Sequence, residues 1–263
     1  MPPIYEPKNR AREFSPYALT IYSRCNAMCS YCFNARYPRS NSYFGIPEPR
    51  PHLIKLLEKQ LSKQKIDKQV LLSFIGDPYG PPNEIHGMTR KVLSILHNHN
   101  VPVAILTKGG TRCLKDIDIF KSFDGRIKVG ASLTFIEEKD SLKWEPGAAL
   151  PMNRFEALKE LHRKGIKTFS SLEPVIDPNQ TLQIIHETSD FVDHYKVGKV
   201  NHFKDYENQV DWEKFLVDVV TLLRRLRKPF YIKHSLQIFN RSIKFEPQET
   251  DQNFLNVRPW LTS

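Results

Sequence analysis

The sequence predicts an α/β fold in which the parallel strands of a partial (β/α)6 barrel are covered by outer helices. The first observation is an alternation along the chain. Short runs rich in β-branched and apolar residues are followed by stretches whose leucines recur at helical spacing. Strands that alternate with helices form parallel β-α units with right-handed crossovers. The second observation is the length of 263 residues, which suits one barrel of this kind.

The elements follow one another in a regular order. The first expected strand, residues 18–23, leads into a cysteine-rich loop, and a long proline-rich loop then precedes an amphipathic helix of roughly four turns. Its apolar face carries Leu53, Leu56, Leu57 and Leu61. The later expected strands are 70–75, 101–107, 127–134, 166–172, 191–197 and 230–234, and the later helices are 84–99, 114–123, 151–164, 181–188 and 212–227. In a parallel barrel the C-terminal strand ends form one mouth, so we expect the cysteine loop there.

The chain divides into an extended N-terminal arm (residues 1–16), a barrel core (17–240) and a polar C-terminal tail (241–263). We expect the tail to pack on the barrel, across its open edge or its bottom. No apolar run has membrane-spanning length, and the N-terminus lacks the layout of a signal peptide. We therefore expect a cytoplasmic monomer that makes no membrane contact.

Three of the four cysteines, Cys25, Cys29 and Cys32, fall in one short loop at intervals of four and three residues. This grouping does not suit a disulfide framework, and a reducing compartment would keep the thiols available for metal. Iron–sulfur clusters are normally held by four thiolates, so three would leave one iron of a [4Fe–4S] cube open to a cofactor. The alternative is a zinc site, but no second Cys-x-x-Cys pair supplies the remaining ligands.

The C-x3-C-x2-C spacing, with Tyr31 before the last cysteine, resembles the signature of the radical S-adenosylmethionine (SAM) superfamily. The resemblance implies two cofactors, a [4Fe–4S] cluster and SAM, and an electron donor of the flavodoxin or ferredoxin type. In that superfamily the amino and carboxylate groups of SAM chelate the open iron. An electron from the cluster cleaves the sulfonium to a 5′-deoxyadenosyl radical, which abstracts hydrogen. The protein contributes binding and orientation.

Polar groups follow the second and third expected strands. Gly76-Asp77 stands where radical SAM enzymes often carry a Gly-Gly-Glu-like segment that binds the SAM amino group, and glycine permits a close backbone approach. The alternative is an ordinary Asp-Pro turn. Lys108, which follows the third strand, is placed to pair with the SAM carboxylate as a point charge.

Three more polar residues mark the ends of the next two strands. Ser132 and Thr134 face the same side, because strand side chains alternate, and we expect them to hydrogen-bond the ribose of SAM. Their hydroxyls could equally satisfy local backbone groups. Glu173 would bind SAM or orient the substrate, the alternative being an exposed carboxylate at a helix entry.

Several segments over roughly residues 4 to 200 resemble the spore photoproduct lyase-related branch of the superfamily. They are Asp77-Pro78-Tyr79, Thr107-Lys108, Glu145-Pro146, Arg154 followed by Leu158, Leu161, Gly165 and Ile166, and residues 8–16 of the arm. By that resemblance Lys108 and Ser132 are SAM contacts, and Asp77 marks the loop for the SAM amino group. Tyr31 matches a tyrosine proposed to relay hydrogen.

One position departs from the branch. The lyase carries a hydrogen-donating cysteine three residues before the aspartate, whereas this chain has Phe74, whose ring does not donate hydrogen as a thiol does. Thymine-dimer repair is therefore in doubt, although the scaffold is shared. Cys113 is a candidate replacement, and its alternative role is that of a small buried apolar side chain.

Basic residues exceed acidic ones by 39 to 29, which gives a net charge of +10. Such an excess favours polyanionic partners, so DNA or RNA is the expected substrate, and Arg36 and Arg39 are candidate phosphate contacts. The basic residues are spread along the chain, which also fits a solvated surface. A small molecule or peptide is the alternative substrate. The rival class is a non-catalytic metal-binding module that holds nucleic acid.

Overall fold

The computed structural model describes residues 2–32 and 46–258. The strands in these ranges are β1 (Ile4–Tyr5), β2 (Tyr17–Leu19), β3 (Val70–Leu72), β4 (Val103–Thr107), β5 (Ile127–Ser132), β6 (Lys167–Val175), β7 (His194–Lys199) and β8 (Phe230–Ile232). They form one sheet in chain order, in which β2 to β8 run parallel and β1 pairs antiparallel with β2. The predicted parallel α/β fold is confirmed, and β8 provides the expected seventh parallel strand.

Helices cover the outside of the sheet. They are α1 (Leu53–Leu61), α2 (Pro82–His86), α3 (Met88–Asn98), α4 (Ile117–Ser122), α5 (Glu138–Trp144), α6 (Pro151–Arg163), α7 (Pro178–Thr188), α8 (Lys204–Glu207), α9 (Trp212–Arg225), α10 (His234–Gln237) and α11 (Pro247–Thr250). Short 3-10 helices span Asn9–Glu13 and Gly110–Asp116. In the described part of the chain, none of these helices is long and apolar enough to cross a membrane.

Several local predictions differ from the structure. Helix α1, with nine residues, is shorter than the roughly four turns expected. The helix expected over 84–99 is divided into α2 and α3 at Gly87, whose φ of 58° interrupts the helical path. The helix expected over 114–123 starts earlier, with the 3-10 turn Gly110–Asp116. Helices α5, α8, α10 and α11 were not expected, because their four to seven residues are too few to display a helical period.

Alternation along the strands separates two apolar layers. Side chains on the outer face of the sheet pack under the helices, and those on the inner face of β2, β3 and β4 form a small separate cluster. The outer set includes Leu19, Val70, Leu72, Val103, Ile105, Ile127 and Val129, and the inner set includes Ala18, Leu71 and Ala104.

The N-terminal arm bridges the two edges of the sheet. Strand β1 extends the edge at β2, while the Glu13 carboxylate accepts hydrogen bonds from Tyr231 Oη (2.8 Å) and the His234 N–H (2.7 Å) beside β8. The buried ammonium of Lys196 donates to the carbonyls of Glu13 (2.8 Å) and Phe14 (3.0 Å). The end of the arm therefore lies inside the partial barrel and contributes to its inner wall.

The described part of the tail covers the opposite end of the barrel, where the strands begin. The Gln69 side chain donates to Asn256 Oδ1 (3.1 Å) and accepts from the Val257 N–H (2.9 Å). Lys128, which is buried near the start of β5, donates to the carbonyl of Leu255 (2.5 Å). Of the two positions expected for the tail, the bottom of the barrel is the one that these residues occupy.

Candidate active site

The cysteine loop leaves the C-terminal end of β2 and is fastened to the segment that follows α5. The Ser30 N–H donates to the carbonyl of Trp144 at 2.9 Å, and the Gly147 N–H donates to the carbonyl of Ala27 at 3.1 Å. A Cβ at Gly147 would lie 2.0 Å from the carbonyl oxygen of Asn26, so only glycine allows this approach. The loop and the connection between β5 and α6 therefore meet at the mouth of the barrel.

The three thiols of the loop are free; Cys29 is buried, and Cys25 and Cys32 are partly exposed. Burial raises the pKa of Cys25 to about 11 and that of Cys29 to about 12, because a thiolate there loses hydration. Three unpaired thiols fit an iron–sulfur cluster that keeps one iron open. Within the described residues no three metal-ligating side chains form a group. Thiols must lose their protons to bind a cluster, so binding would release protons.

Glu145 is the central acceptor beside this loop. Its carboxylate accepts hydrogen bonds from Tyr31 Oη and Arg154 Nη2, and Lys108 Nζ lies 3.6 Å from Oε1. Burial alone would raise the pKa of Glu145, but the charges of Lys108 and Arg154 lower it below its usual value. The group is therefore a buried carboxylate between two cations.

Tyr31 is held between this carboxylate and the aromatic side chains around α5. Its hydroxyl lies 3.3 Å from Thr134 Oγ1, and its ring lies 6.4 Å from that of Trp144. Burial, and then the neighbouring Glu145, raises the pKa of the phenol well above its usual value. Tyr31 therefore stays protonated and donates to Glu145.

Lys108, Ser132 and Thr134 come from the ends of two neighbouring strands. The Lys108 ammonium lies 5.6 Å from the centroid of the Tyr31 ring. Ser132 and Thr134 are buried, and Arg154 donates to the carbonyl of Ser132 at 2.9 Å. The structure thus brings three predicted residues, Lys108, Thr134 and Tyr31, to Glu145, and Arg154 links Ser132 to it.

Asp77 fastens the end of β3 to the end of β4. Its Oδ1 accepts from the Tyr79 N–H (2.8 Å) and from Thr107 Oγ1 (2.5 Å), and its Oδ2 accepts from the Lys108 N–H (2.6 Å). The side chain therefore holds the turn, as the alternative reading expected. The neighbouring Gly76 has a φ of 75°, and a Cβ there would lie 2.7 Å from a carbonyl oxygen of the cysteine loop. The turn approaches the loop through its backbone.

The last two predicted residues have different surroundings. Glu173 lies within β6 and pairs with Lys233 across the sheet, so it is not an exposed helix-entry carboxylate. Cys113 is 1% exposed and packs in the core beneath the helices, where burial raises its pKa to about 12. This placement favours the alternative role of Cys113 as a buried apolar side chain, because Cys113 packs among apolar core residues.

Sequence reasoning did not select Glu145, Arg154 or Lys233 as site residues. Arg154 carried a usable signal, because it lies four and seven residues before Leu158 and Leu161 and so falls on the buried face of α6. A buried arginine requires an acidic partner. Arg36 and Arg39, the predicted phosphate contacts, lie outside the described residues.

The sequence matches the profile of the Radical SAM superfamily over residues 19–192. An uncharacterised protein of Methanocaldococcus jannaschii is 29% identical in an alignment of 205 positions, and the match covers 73% of this chain and 75% of that protein. An uncharacterised protein of Acidianus two-tailed virus is 25% identical in an alignment of 225 positions, and the match covers 77% of this chain and 74% of that protein.

Two kinds of solved structure are similar in fold. Spore photoproduct lyase with bound SAM and dinucleoside spore photoproduct superposes with a TM-score of 0.64 at 12% identity, over 84% of this chain and 76% of that one. SuiB of Streptococcus suis bound to SAM superposes with a TM-score of 0.61 at 14% identity, over 87% of this chain. This chain spans about half of SuiB, 53% of its length.

Proposed function

This chain belongs to the radical SAM superfamily, which uses SAM and a [4Fe–4S] cluster, and we propose that it is an enzyme that modifies or repairs nucleic acid. When bound, the cluster supplies the electron that cleaves SAM to methionine and a 5′-deoxyadenosyl radical, which abstracts hydrogen from the substrate. A flavodoxin- or ferredoxin-like protein would provide that electron.

Cys25, Cys29 and Cys32 would hold the cluster. They are free thiols of one loop at the C-terminal end of β2. Cys113 lies in the core, so it would take no part.

The observation that favours an enzyme over a metal-binding module is the set of polar groups beside these thiols. Lys108, Tyr31 and Thr134 come from three separate segments and converge around the buried Glu145. A structural metal loop gives no reason for this convergence. Lys108 would bind the SAM carboxylate, and Ser132 and Thr134 would contact its ribose.

Glu145 would keep these residues in place. Because its carboxylate pairs with Arg154, it is anchored to α6 while it holds the Lys108 ammonium and the Tyr31 hydroxyl. The Tyr31 hydroxyl, which is protonated and directed at Glu145, is the group that would relay hydrogen.

The net charge of +10 favours nucleic acid as the substrate. A reacting base must come within van der Waals contact of the deoxyadenosyl carbon, and extraction from a duplex costs about a few kcal/mol. The enzyme should therefore prefer single-stranded or lesion-weakened sites.

The test is 5′-deoxyadenosine formation by anaerobically reconstituted, reduced protein with single-stranded DNA, single-stranded RNA and their duplexes. We expect slow SAM cleavage without substrate and faster cleavage with a single strand. Stoichiometric zinc without reconstitutable iron would exclude a radical SAM enzyme. SAM cleavage that no nucleic acid accelerates would redirect the search to small molecules and peptides.

A further inference from the structure

A second polar site lies inside the barrel, on the side of β6 to β8. Glu173 of β6 and Lys233, which follows β8, form an ion pair across the intervening strand β7. Gly198 of β7 makes this contact possible, since a Cβ there would lie 2.8 Å from Lys233 Cδ and 2.9 Å from Glu173 Oε1. Because glycine has no side chain, a gap remains at this position, and the two charged groups occupy it.

Stability alone does not account for this pair. The Lys233 side chain is 1% exposed and that of Glu173 is 21% exposed. Removing a lysine from water is costly, and apolar residues of similar volume often replace a buried ion pair without loss of stability. A partly exposed carboxylate next to a buried ammonium is better explained by the binding of a polar group than by a contribution to folding stability.

Hydrogen-bonding capacity is left over at this site. Among the described residues, Lys233 Nζ has one acceptor, Glu173, although an ammonium has three N–H groups. Ser171, two residues before Glu173 on the same strand, is 1% exposed, and its hydroxyl has no hydrogen-bond partner in the described chain. A buried hydroxyl of this kind normally finds a partner. A donor and an acceptor therefore remain for a ligand.

The rings of Phe14 and Phe74 lie beside the ion pair and form the aromatic wall of this site. Lys233 Nζ lies 3.1 Å from the centroid of the Phe14 ring, and Phe14 packs edge-on against Phe74 at 5.4 Å. Both rings are only partly buried and belong to the inner apolar cluster of the barrel. The end of the arm supplies Phe14, and β3 leads into Phe74. Aromatic rings of this kind provide stacking surface for a flat ligand.

This site adjoins the proposed SAM contacts. Ser171 on β6 is the direct neighbour of Ser132 on β5 in the parallel ladder. Lys108 follows Thr107, which pairs with Ala131 on the other side of β5. A ligand held at Glu173 would therefore lie one strand away from the ribose contact, where the radical would form.

Resting on the proposed function, we propose a subsite for a nucleobase. It is formed by Glu173, Lys233, Ser171, Phe14 and Phe74. The base stacks on the aromatic wall and presents an N–H to Glu173 and a neighbouring ring acceptor or carbonyl to Lys233. A phosphate does not suit this place, because Glu173 repels it. The subsite recognises the base, and basic residues elsewhere contact the phosphate backbone of the nucleic acid.

The test compares reconstituted protein carrying Glu173→Gln or Lys233→Met with the parent, using single-stranded oligonucleotides of each base and an abasic oligonucleotide of equal length. Losing one charged hydrogen bond to the base should weaken oligonucleotide binding by about tenfold or more. Iron content should stay at the parent value, because neither residue belongs to the cysteine loop. Lys199→Met, which removes a buried ion pair with Glu207, is the matched control and should leave oligonucleotide binding unchanged.

The outcomes separate the two proposals. If the abasic oligonucleotide binds and stimulates SAM cleavage as well as the others do, base recognition is wrong while a nucleic-acid substrate survives. Parent-like binding by both variants also overturns the subsite. If no oligonucleotide binds the parent, the proposed function fails and takes the subsite with it. Gly198→Ala keeps every charged group and should still weaken binding, because its methyl group enters the shared gap.

Discussion

Replacing Arg154 by methionine should destabilise the protein strongly, because it removes the best partner of a buried carboxylate. Arg154 and Glu145 are each 1% exposed. The guanidinium donates to Glu145 and to the carbonyls of Ala149 (2.7 Å) and Ser132 (2.9 Å). Breaking a buried ion pair from one side costs about 3–5 kcal/mol when it leaves a charge without a partner. Lys108 Nζ stays 3.6 Å from the Glu145 carboxylate, so we expect the free energy of unfolding at neutral pH to fall by no more than about that amount.

The loss should shrink as the pH falls. In the parent protein burial alone would raise the pKa of Glu145, but Lys108 and Arg154 lower it. A carboxylate with a lowered folded-state pKa stabilises the fold above its unfolded pKa of about 4.3, and this contribution disappears as pH falls through the folded-state pKa. Without Arg154 the folded-state pKa of Glu145 rises. In the variant Glu145 therefore becomes protonated, and its buried charge disappears, at a higher pH than in the parent. Parent and variant should therefore converge in acid.

Urea unfolding followed by circular dichroism, without oxygen and at matched iron content, measures this difference. Arg163→Met on the same helix is the control, because its ion pair with Glu160 is exposed and should contribute nothing measurable. The double variant Glu145→Gln/Arg154→Met should recover part of the loss. A loss of about 1 kcal/mol or less, as for a surface pair, or a loss that does not change with pH would refute the reasoning.

Three further outcomes follow from the site. Cys25→Ala should abolish iron binding after anaerobic reconstitution, whereas Cys113→Ala should keep it; equal iron content in both would contradict the assignment. Lys108→Ala should weaken SAM binding about tenfold, as expected for one charged contact, with the cluster absorbance unchanged; unchanged SAM affinity would remove Lys108 from the site. Gly76→Ala should lower SAM affinity and stability, because its Cβ would meet a backbone carbonyl. The control is Gly125→Ala, which has a similar φ of 77° and nothing within 4 Å of its Cβ, and which should lower stability alone. Equal effects of the two variants on SAM binding would show that the close approach at Gly76 is irrelevant.

Much of the architecture was predictable from local patterns. Alternating strand-like and helix-like periods are a property of neighbouring residues, so they indicated the seven parallel strands and the position of the cysteine loop at a strand end. The same patterns failed where an element was too short, as in α5, or where one residue turned the chain, as Gly87 does between α2 and α3.

The choice of partners within the site was not predictable, because it depends on which side chains meet across the sheet. Lys108, Ser132 and Tyr31 were predicted for the mouth, yet nothing local shows that Glu145 accepts from Tyr31 and Arg154. Asp77 was expected at the mouth, and only the fold shows that three protein donors occupy its carboxylate.

The family and the polar residues at the strand ends could be predicted before the fold was known, because motif spacing and periodicity are properties of the chain alone. Tertiary structure decided that Cys113 faces the core, that the arm carries Phe14 into the barrel and that Gly198 leaves a gap for Glu173 and Lys233. The physical reason is the ladder of the sheet. Its register aligns residues that are far apart in the chain, and a shift of one residue would turn each side chain to the opposite face.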